Sequence, residues 1–419
     1  MISKSICLYS ELSNNNDFIL MKTLYLFTNH FPYSYQENFL EDEIFYHSSR
    51  WGRIVLITRE ESGGSMRSIP SNCEVVHIPF CKNRFNYIVR GLFNSQSTGL
   101  LACDFFRNKV FLSPKKFHTW VSAALYLNNF LNNNKLQTII KSMEGEDVCY
   151  FYWGVGQSML STLLKGRIHL VSRFHGEGDL WEEKYGGFQP LRTEISASLD
   201  KAVFISRHGE SYFKRRYPKT STAVFPLGSK DYGLQKPNPN DGVFRVVSCS
   251  TVYPLKRVPL IFEALNNFTD LPIEWTHIGS GTHFDMLQEK IKNEQRNHLQ
   301  VNLLGMMSHD EVMNYYKNHH FDLFVNMSTS EGVPVSIMEA MSFGIPILAT
   351  DVGSTSEEVD PCVGELLTPN PTIEEIICAI RKILRSTYTP REFWINHYNA
   401  EMNYSAFADM LVQLSLMKY

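Results

Sequence analysis

The sequence predicts an α/β protein of two doubly wound, Rossmann-like domains. Three observations carry this. The chain has 419 residues, too many for one core and enough for two domains of ordinary size. Apolar runs of strand length alternate with longer amphipathic stretches, the mark of parallel sheets covered on both faces. The alternation occurs as two series, separated by a turn-rich break near residues 227–243.

The first series of strands is expected at Leu24–Thr28, Ile54–Thr58, Glu74–Ile78, Val148–Tyr152, Ile168–Arg173 and Val203–Ser206. The second is expected at Phe244–Ser250, Ile273–Ile278, Val301–Leu304, Leu323–Asn326 and Pro346–Thr350. Residues 1–20 read as a loosely ordered lead-in. An N-terminal domain is expected over 21–228, a C-terminal one over 243–389, and a closing helical stretch over 390–419. That last stretch is aromatic enough, with Phe393, Trp394, Tyr398, Tyr404 and Phe407, to need a surface to pack on.

A composition of 43% apolar and 20% charged residues is that of a globular chain. The net charge of −3 lacks the footprint of a nucleic-acid binder. Eight scattered cysteines, with no C-x-x-C, suggest neither disulfide framework nor zinc site and suit a reducing cytoplasm. No apolar run approaches the ~20 residues that span a bilayer. No secretory signal is read at the N-terminus.

Parallel sheets bind ligands at the carboxyl ends of their strands, so residues just after strands are the candidates. The expected cleft between two such domains is the default site. Strand Leu323–Asn326 runs into Glu331, Gly332, Val333 and Pro334, with a helix expected over Pro334–Phe343. Gly332 permits close backbone approach, and the free amides of the turn suit an anion or sugar hydroxyls. Glu331 can accept from sugar hydroxyls and Glu339 from a ribose diol. The plain alternative is a helix cap and a solvated acid, but Glu339 has core-like neighbours, where a carboxylate usually has a partner.

Lys256 and Arg257 follow strand Phe244–Ser250. A cation at a helix start opposes the dipole, which suggests that an anion such as a diphosphate meets it. Gly279 and Gly281 follow the next strand, where a plain strand-to-helix turn is an equal reading. Gly353 follows the last, with Glu357 and Glu358 suited to the first turn of a helix.

In the N-terminal half, Arg173, His175 and Asp179 follow one strand, and Arg207 another. A lone histidine is usually structural, yet His175 precedes glycines at a strand end. Tyr33, Ser34 and Glu37 lie in the loop after the first strand. Residues 81–116 hold seven Lys or Arg and one acid, Asp104, with phenylalanines interleaved. Over 81–120 this suits peripheral contact with an anionic membrane as well as it suits a solvated face over ordinary core aromatics.

The order of these features resembles the family-4 retaining glycosyltransferases of the GT-B fold. The likeness rests on Lys256, on Gly279 to Gly281, on Leu304 and Gly305, and above all on Ser330 to Gly353. It covers residues 243–370 well and the N-terminal half more loosely. The resemblance implies that Glu331 and the following amides contact the donor sugar. It further implies that Glu339 holds the ribose, Lys256 neutralises the diphosphate, and His175 approaches the sugar. It places the loop of Tyr33, Ser34 and Glu37 on the acceptor side, where Arg173, Asp179 and Arg207 are further candidates. Where the family often has an arginine on the phosphates, this chain has Ser250 and Thr251; Arg257 is one candidate to compensate. An extra residue separates His175 from Asp179, and Ser34 replaces a frequent glycine.

The expected activity is retaining transfer from a nucleotide diphosphate sugar to a hydroxyl of a glycan or lipid-linked acceptor, in surface polysaccharide assembly. His175, Glu331 and Lys256 are the expected catalytic residues. No D-x-D element is convincingly placed, so no metal and no cofactor are expected. No nucleophile is assigned, because no second carboxylate is placed beneath the sugar. The location expected is the cytoplasm, at the inner face of the membrane if the basic segment docks there. Rival readings are a nucleotide-sugar epimerase, a phosphorylase, or a non-catalytic scaffold.

Overall fold

The computed structural model describes residues 22–33, 36–60, 65–176, 178–185 and 187–417, with the side chains of 184 and 185 left aside. The expected lead-in over 1–20 and Ser34 lie outside the described residues. Two compact units emerge. One runs to Phe225 and takes in the chain again from Tyr404; the other comprises Pro226–Asn403.

The first unit holds a seven-stranded sheet: β1 (Thr23–Thr28), β2 (Arg53–Thr58), β3 (Cys73–His77), β4 (Val148–Phe151), β5 (His169–Phe174), β6 (Lys201–Phe204) and β7 (Thr222–Val224). Their order is β3-β2-β1-β4-β5-β6-β7, and every pairing is parallel. β1, β4 and β5 are buried along their whole length, because helices cover both faces. One face packs Leu24, Leu26, Trp51 and Tyr150 against Phe407, Leu411 and Leu414 of the C-terminal helix Ala400–Ser415.

The second unit holds β8 (Phe244–Cys249), β9 (Ile273–Ile278), β10 (Leu299–Gly305), β11 (Leu323–Asn326), β12 (Ile347–Thr350) and β13 (Gly364–Leu367), in the order β10-β9-β8-β11-β12-β13. Each sheet reverses its winding once: β1 lies between β2 and β4, and β8 lies between β9 and β11. At such a reversal the neighbouring loops diverge and leave a crevice beyond the strand ends.

Three expectations are corrected. β7 and β13 are strands that the periodicity does not reveal; they are short edge strands, and β13 begins on a glycine. Pro334 stands before helix Val335–Ser342 as its extended N-cap residue instead of inside it. The stretch 227–243 is not a free linker. Ser229 bridges Asn399, Gln235 bonds Phe321, and Asp231 holds Arg391 in a bidentate pair at 2.8 Å. Turn-forming residues here terminate regular structure without detaching the chain from its unit.

Candidate active site

In the second unit the reversal falls between β8 and β11, and Lys256 and Glu331 follow these strands. After β8 the chain makes a single tight turn, Pro254–Lys256, and Arg257 takes a left-handed conformation before helix Val258–Asn267. Lys256 Nζ lies 2.5 Å from Glu331 Oε1, and Asn326 Nδ2 donates to the same oxygen at 3.3 Å. Both members of the pair keep a little exposure, so a ligand can reach them. The anion that meets the lysine in this structure is Glu331.

Backbone contacts join the loops around this pair. Thr329 N donates to Leu255 O at 2.8 Å, which ties the β11 loop to the β8 turn. Thr350 Oγ1, at the end of β12, donates to Ser328 O at 2.6 Å. Ser354 N reaches Gly332 O at 3.2 Å. Gly353 has φ +61°, and a Cβ there would sit 1.9 Å from Glu331 O. Only glycine lets the β12 loop lie so close to Glu331. Gly279 acts similarly one strand away: with φ +134°, its Cβ would stand 2.0 Å from Ser250 O. Gly279 thus supports the β8 loop through backbone contact. Gly332 and Val333 are part-exposed on the turn beside Glu331.

A Gly353→Ala variant is expected to lose about 2–3 kcal/mol of stability, from the left-handed conformation and from the clash at Glu331. Thermal melting and nucleotide titration check this. Wild-type values in both would show that the loop yields to the methyl group.

Glu339, nearly buried in helix Val335–Ser342, accepts from His309 Nε2 at 2.9 Å. His309 opens the helix after a Ser308–Glu311 capping box and is half exposed. Burial, with the Glu339 charge adding, pushes the Cys249 thiol at the end of β8 up to about 12. Glu339 therefore acts electrostatically at the same strand end.

Arg257 is engaged within its own unit. Its guanidinium donates to Met327 O, Ser328 O, Pro369 O and Asn370 Oδ1, so it fastens these loops to one another. Glu358 falls in the short helix Thr355–Glu358, as expected, but it is fully buried, and neither carboxylate oxygen has a hydrogen-bond partner among the described residues. Burial, with the charges of Glu331 and Glu357 adding, raises it well above the usual carboxylate range.

In the first unit the reversal lies between β1 and β4. Three residues expected on the acceptor side prove to be structural. Glu37 accepts from the amides of Asn29, His30 and Phe31 at 2.7–2.9 Å and from Trp153 Nε1 at 2.5 Å, so its carboxylate closes the β1 loop. Asp179 is fully buried and accepts from the amides of Gly154, His175 and Gly176. Arg173 lies inside β5, fully buried, with NH1 at 2.5 Å from Glu43 Oε2 and the Phe407 ring 4.9 Å away. Buried charges need partners, and these residues have them within the unit.

His175 sits between the rings of Tyr152 and Trp153, at 4.5 and 4.7 Å. Its Nε2 lies 2.9 Å from Tyr152 O, which can only accept, so Nε2 carries the proton and Nδ1 is the free acceptor. Burial, with the Arg173 charge adding, pushes its pKa down to about 3. His175 is neutral near pH 7. Tyr33 contacts His77 Nε2 at 3.1 Å, and Arg207 is exposed at the start of helix Arg207–Arg216.

Sequence reasoning missed Asn326 and His309, the partners of the two glutamates. A polar residue closing an apolar strand is a signal for the first; His309 carries none.

The family described as Glycosyl transferases group 1 matches residues 232–399. The chain is 35% identical over 314 residues to the O-antigen biosynthesis glycosyltransferase WbnH of Escherichia coli, covering 73% of this chain and 82% of that protein. Among solved structures, the lipopolysaccharide outer core galactosyltransferase WaaB in its apo form aligns with TM-score 0.66 and 15% identity, over 94% of this chain and all of that one. HepE of Anabaena, in complex with UDP, aligns with TM-score 0.61 and 17% identity over the same shares, 94% and 100%. The fold these neighbours share is GT-B.

Proposed function

Because the chain belongs to the group 1 glycosyltransferases, we propose that it moves a sugar from a nucleotide diphosphate sugar to a hydroxyl of a glycan or lipid-linked glycan, retaining the anomeric configuration and using no metal. The observation that carries the reading is the Lys256–Glu331 pair, 2.5 Å apart at the β8–β11 reversal. On donor binding, Lys256 exchanges Glu331 for the diphosphate. The freed carboxylate accepts from sugar hydroxyls, and the amides of the turn after Glu331 suit the same ligand. Glu339 exchanges His309 for the ribose diol. A fixed cation where the leaving group gathers charge supports metal-free departure.

No nucleophile is assigned. The acceptor hydroxyl attacks the face from which the diphosphate leaves. As the new C–O bond forms and the old one breaks, the hydroxyl proton passes to a diphosphate oxygen. His175 of the first unit, neutral near pH 7, is suited to accept from a hydroxyl. The name of the Escherichia coli relative, an O-antigen biosynthesis glycosyltransferase, supports surface polysaccharide assembly. The UDP bound to HepE makes UDP-sugars the first donors to try.

The test is incubation with UDP-, GDP- and ADP-sugars, with and without EDTA, followed by NMR. The expected result is slow release of nucleoside diphosphate from one donor, the same anomeric configuration in the product, and no effect of EDTA. Isomerised nucleotide sugar without release would identify an epimerase, and no binding at all a scaffold. An inverted product or loss of turnover in EDTA would overturn the stereochemical or the metal-free part.

A further inference from the structure

Helix Arg84–Gly91 turns its apolar side outward. Phe85, Ile88, Val89 and Leu92 follow the i, i+3, i+4, i+7 spacing that a globular protein normally buries. Here all four are exposed, Phe85 by 73% and Leu92 by 68%. The opposite side is fixed to helix Pro114–Leu131. A Cβ on Gly91 would meet Leu125 O at 2.8 Å, and Asn128, Asn129 and Asn132 donate to the carbonyls of Gly91, Tyr87 and Arg90. The orientation is thus built in by side chains that fasten the helix backbone.

A second apolar outcrop stands on elements packed against the same long helix. Phe106 is 67% exposed; Phe111, Leu112 and Phe117 are exposed as well. Phe105 lies among them, with ring centroids 5.5, 6.1 and 6.4 Å from Phe106, Phe111 and Phe117. Scattered apolar residues on a surface need no explanation, but two groups of large ones in one segment do.

The charges say what covers them. Lys82, Arg84, Arg90, Arg107, Lys109 and Lys115 are exposed in this segment, and its one acid, Asp104, is fully buried. Glu194 pairs with Arg107 from outside the segment. A second copy of the chain, docked through the same face about a two-fold axis, would bring these cations against their own kind. An anionic lipid surface instead takes phenylalanine and leucine into its acyl boundary while its headgroups meet lysine and arginine. No helix among the described residues is long and apolar enough to cross a membrane, so the contact is peripheral.

We propose that the exposed groups Phe85 with Leu92 and Phe106 with Phe111, together with Lys109 and Lys115, dock the first unit onto an anionic bilayer. The inference does not depend on the proposed sugar transfer, and its failure leaves nucleotide binding untouched.

The test is flotation of the full chain with vesicles of phosphatidylcholine, alone or with about one-third phosphatidylglycerol. Expected is binding to the anionic vesicles at low salt, weakened by salt. Phe85→Ser with Leu92→Ser should lower partitioning by at least about tenfold, since each side chain contributes more than a factor of ten if fully inserted. Lys109→Glu with Lys115→Glu should also lower it by about tenfold or more. Unchanged circular dichroism and nucleotide binding would show that both variants fold. Absence of binding to anionic vesicles, or equal partitioning of both variants and wild type, overturns the proposal. So does a wild-type dimer, seen by light scattering, that Phe85→Ser with Leu92→Ser dissolves.

Discussion

Replacing Lys256 with alanine is expected to lower kcat for sugar transfer about 100- to 1,000-fold, with the fold intact. Lys256 is the cation at the β8–β11 reversal, and its Nζ is held 2.5 Å from Glu331. Charge on the diphosphate grows as the glycosidic bond breaks, so the lysine stabilises the transition state more than the bound donor. The loss therefore falls on kcat more than on KM. Among the described residues, the alanine variant also leaves Glu331 with only Asn326 as a hydrogen-bond donor, close to arriving phosphates of the same sign. Nothing in the unit's core rests on Lys256, which keeps some exposure. Steady-state kinetics, with circular dichroism as the folding control, check this. A variant with wild-type kcat would remove Lys256 from the reaction.

Replacing Glu43 with alanine is expected to destabilise the first unit by about 3–5 kcal/mol, because it strands Arg173 as an uncompensated buried charge. Both side chains are fully buried. Glu43 also accepts from Tyr150 at 3.0 Å and contacts His47 at 3.2 Å, so the deletion leaves further polar atoms unsatisfied. Burial alone would raise the Glu43 carboxyl. The Arg173 charge and the His47 and Tyr150 contacts overcome it and hold the group at about 2. A folded pKa below the unfolded value of about 4.3 gives stability that is complete above that value. It is lost as pH falls from there toward 2. The wild-type urea midpoint should therefore drop over that window, and Glu43→Gln should flatten this part of the profile. An unchanged midpoint for Glu43→Ala at neutral pH would contradict the account.

The loop after β11 is legible in the sequence because its parts lie close together in the chain. An apolar strand, a glycine turn, a carboxylate and an amphipathic helix all fall within Leu323–Ser342, and each follows from local chemistry. The misread residues have distant partners. Arg173 looked like a rim residue because Glu43 lies 130 positions away. Asp179 and Glu37 looked like ligands because a carboxylate bound to backbone amides leaves no periodic trace. Edge strands β7 and β13 have too few residues for any period. Glu339 was recognised from its apolar neighbours, while His309, 30 positions away, could not be matched to it. The exposed phenylalanines had two equal readings in sequence, because composition does not say which side of a helix faces outward.

The central claim is that Lys256, Glu331 and Glu339 form a nucleotide diphosphate sugar site. Calorimetric titration of wild type, Lys256→Ala and Glu339→Gln with UDP, GDP and ADP tests it most directly. The account predicts that wild type binds one of the three. It predicts that Lys256→Ala weakens that binding by at least about tenfold, the scale of one charge-assisted contact. Glu339→Gln should weaken the diphosphate and its parent nucleoside alike. Failure of all three to bind wild type, or equal affinity in all three proteins, would contradict it.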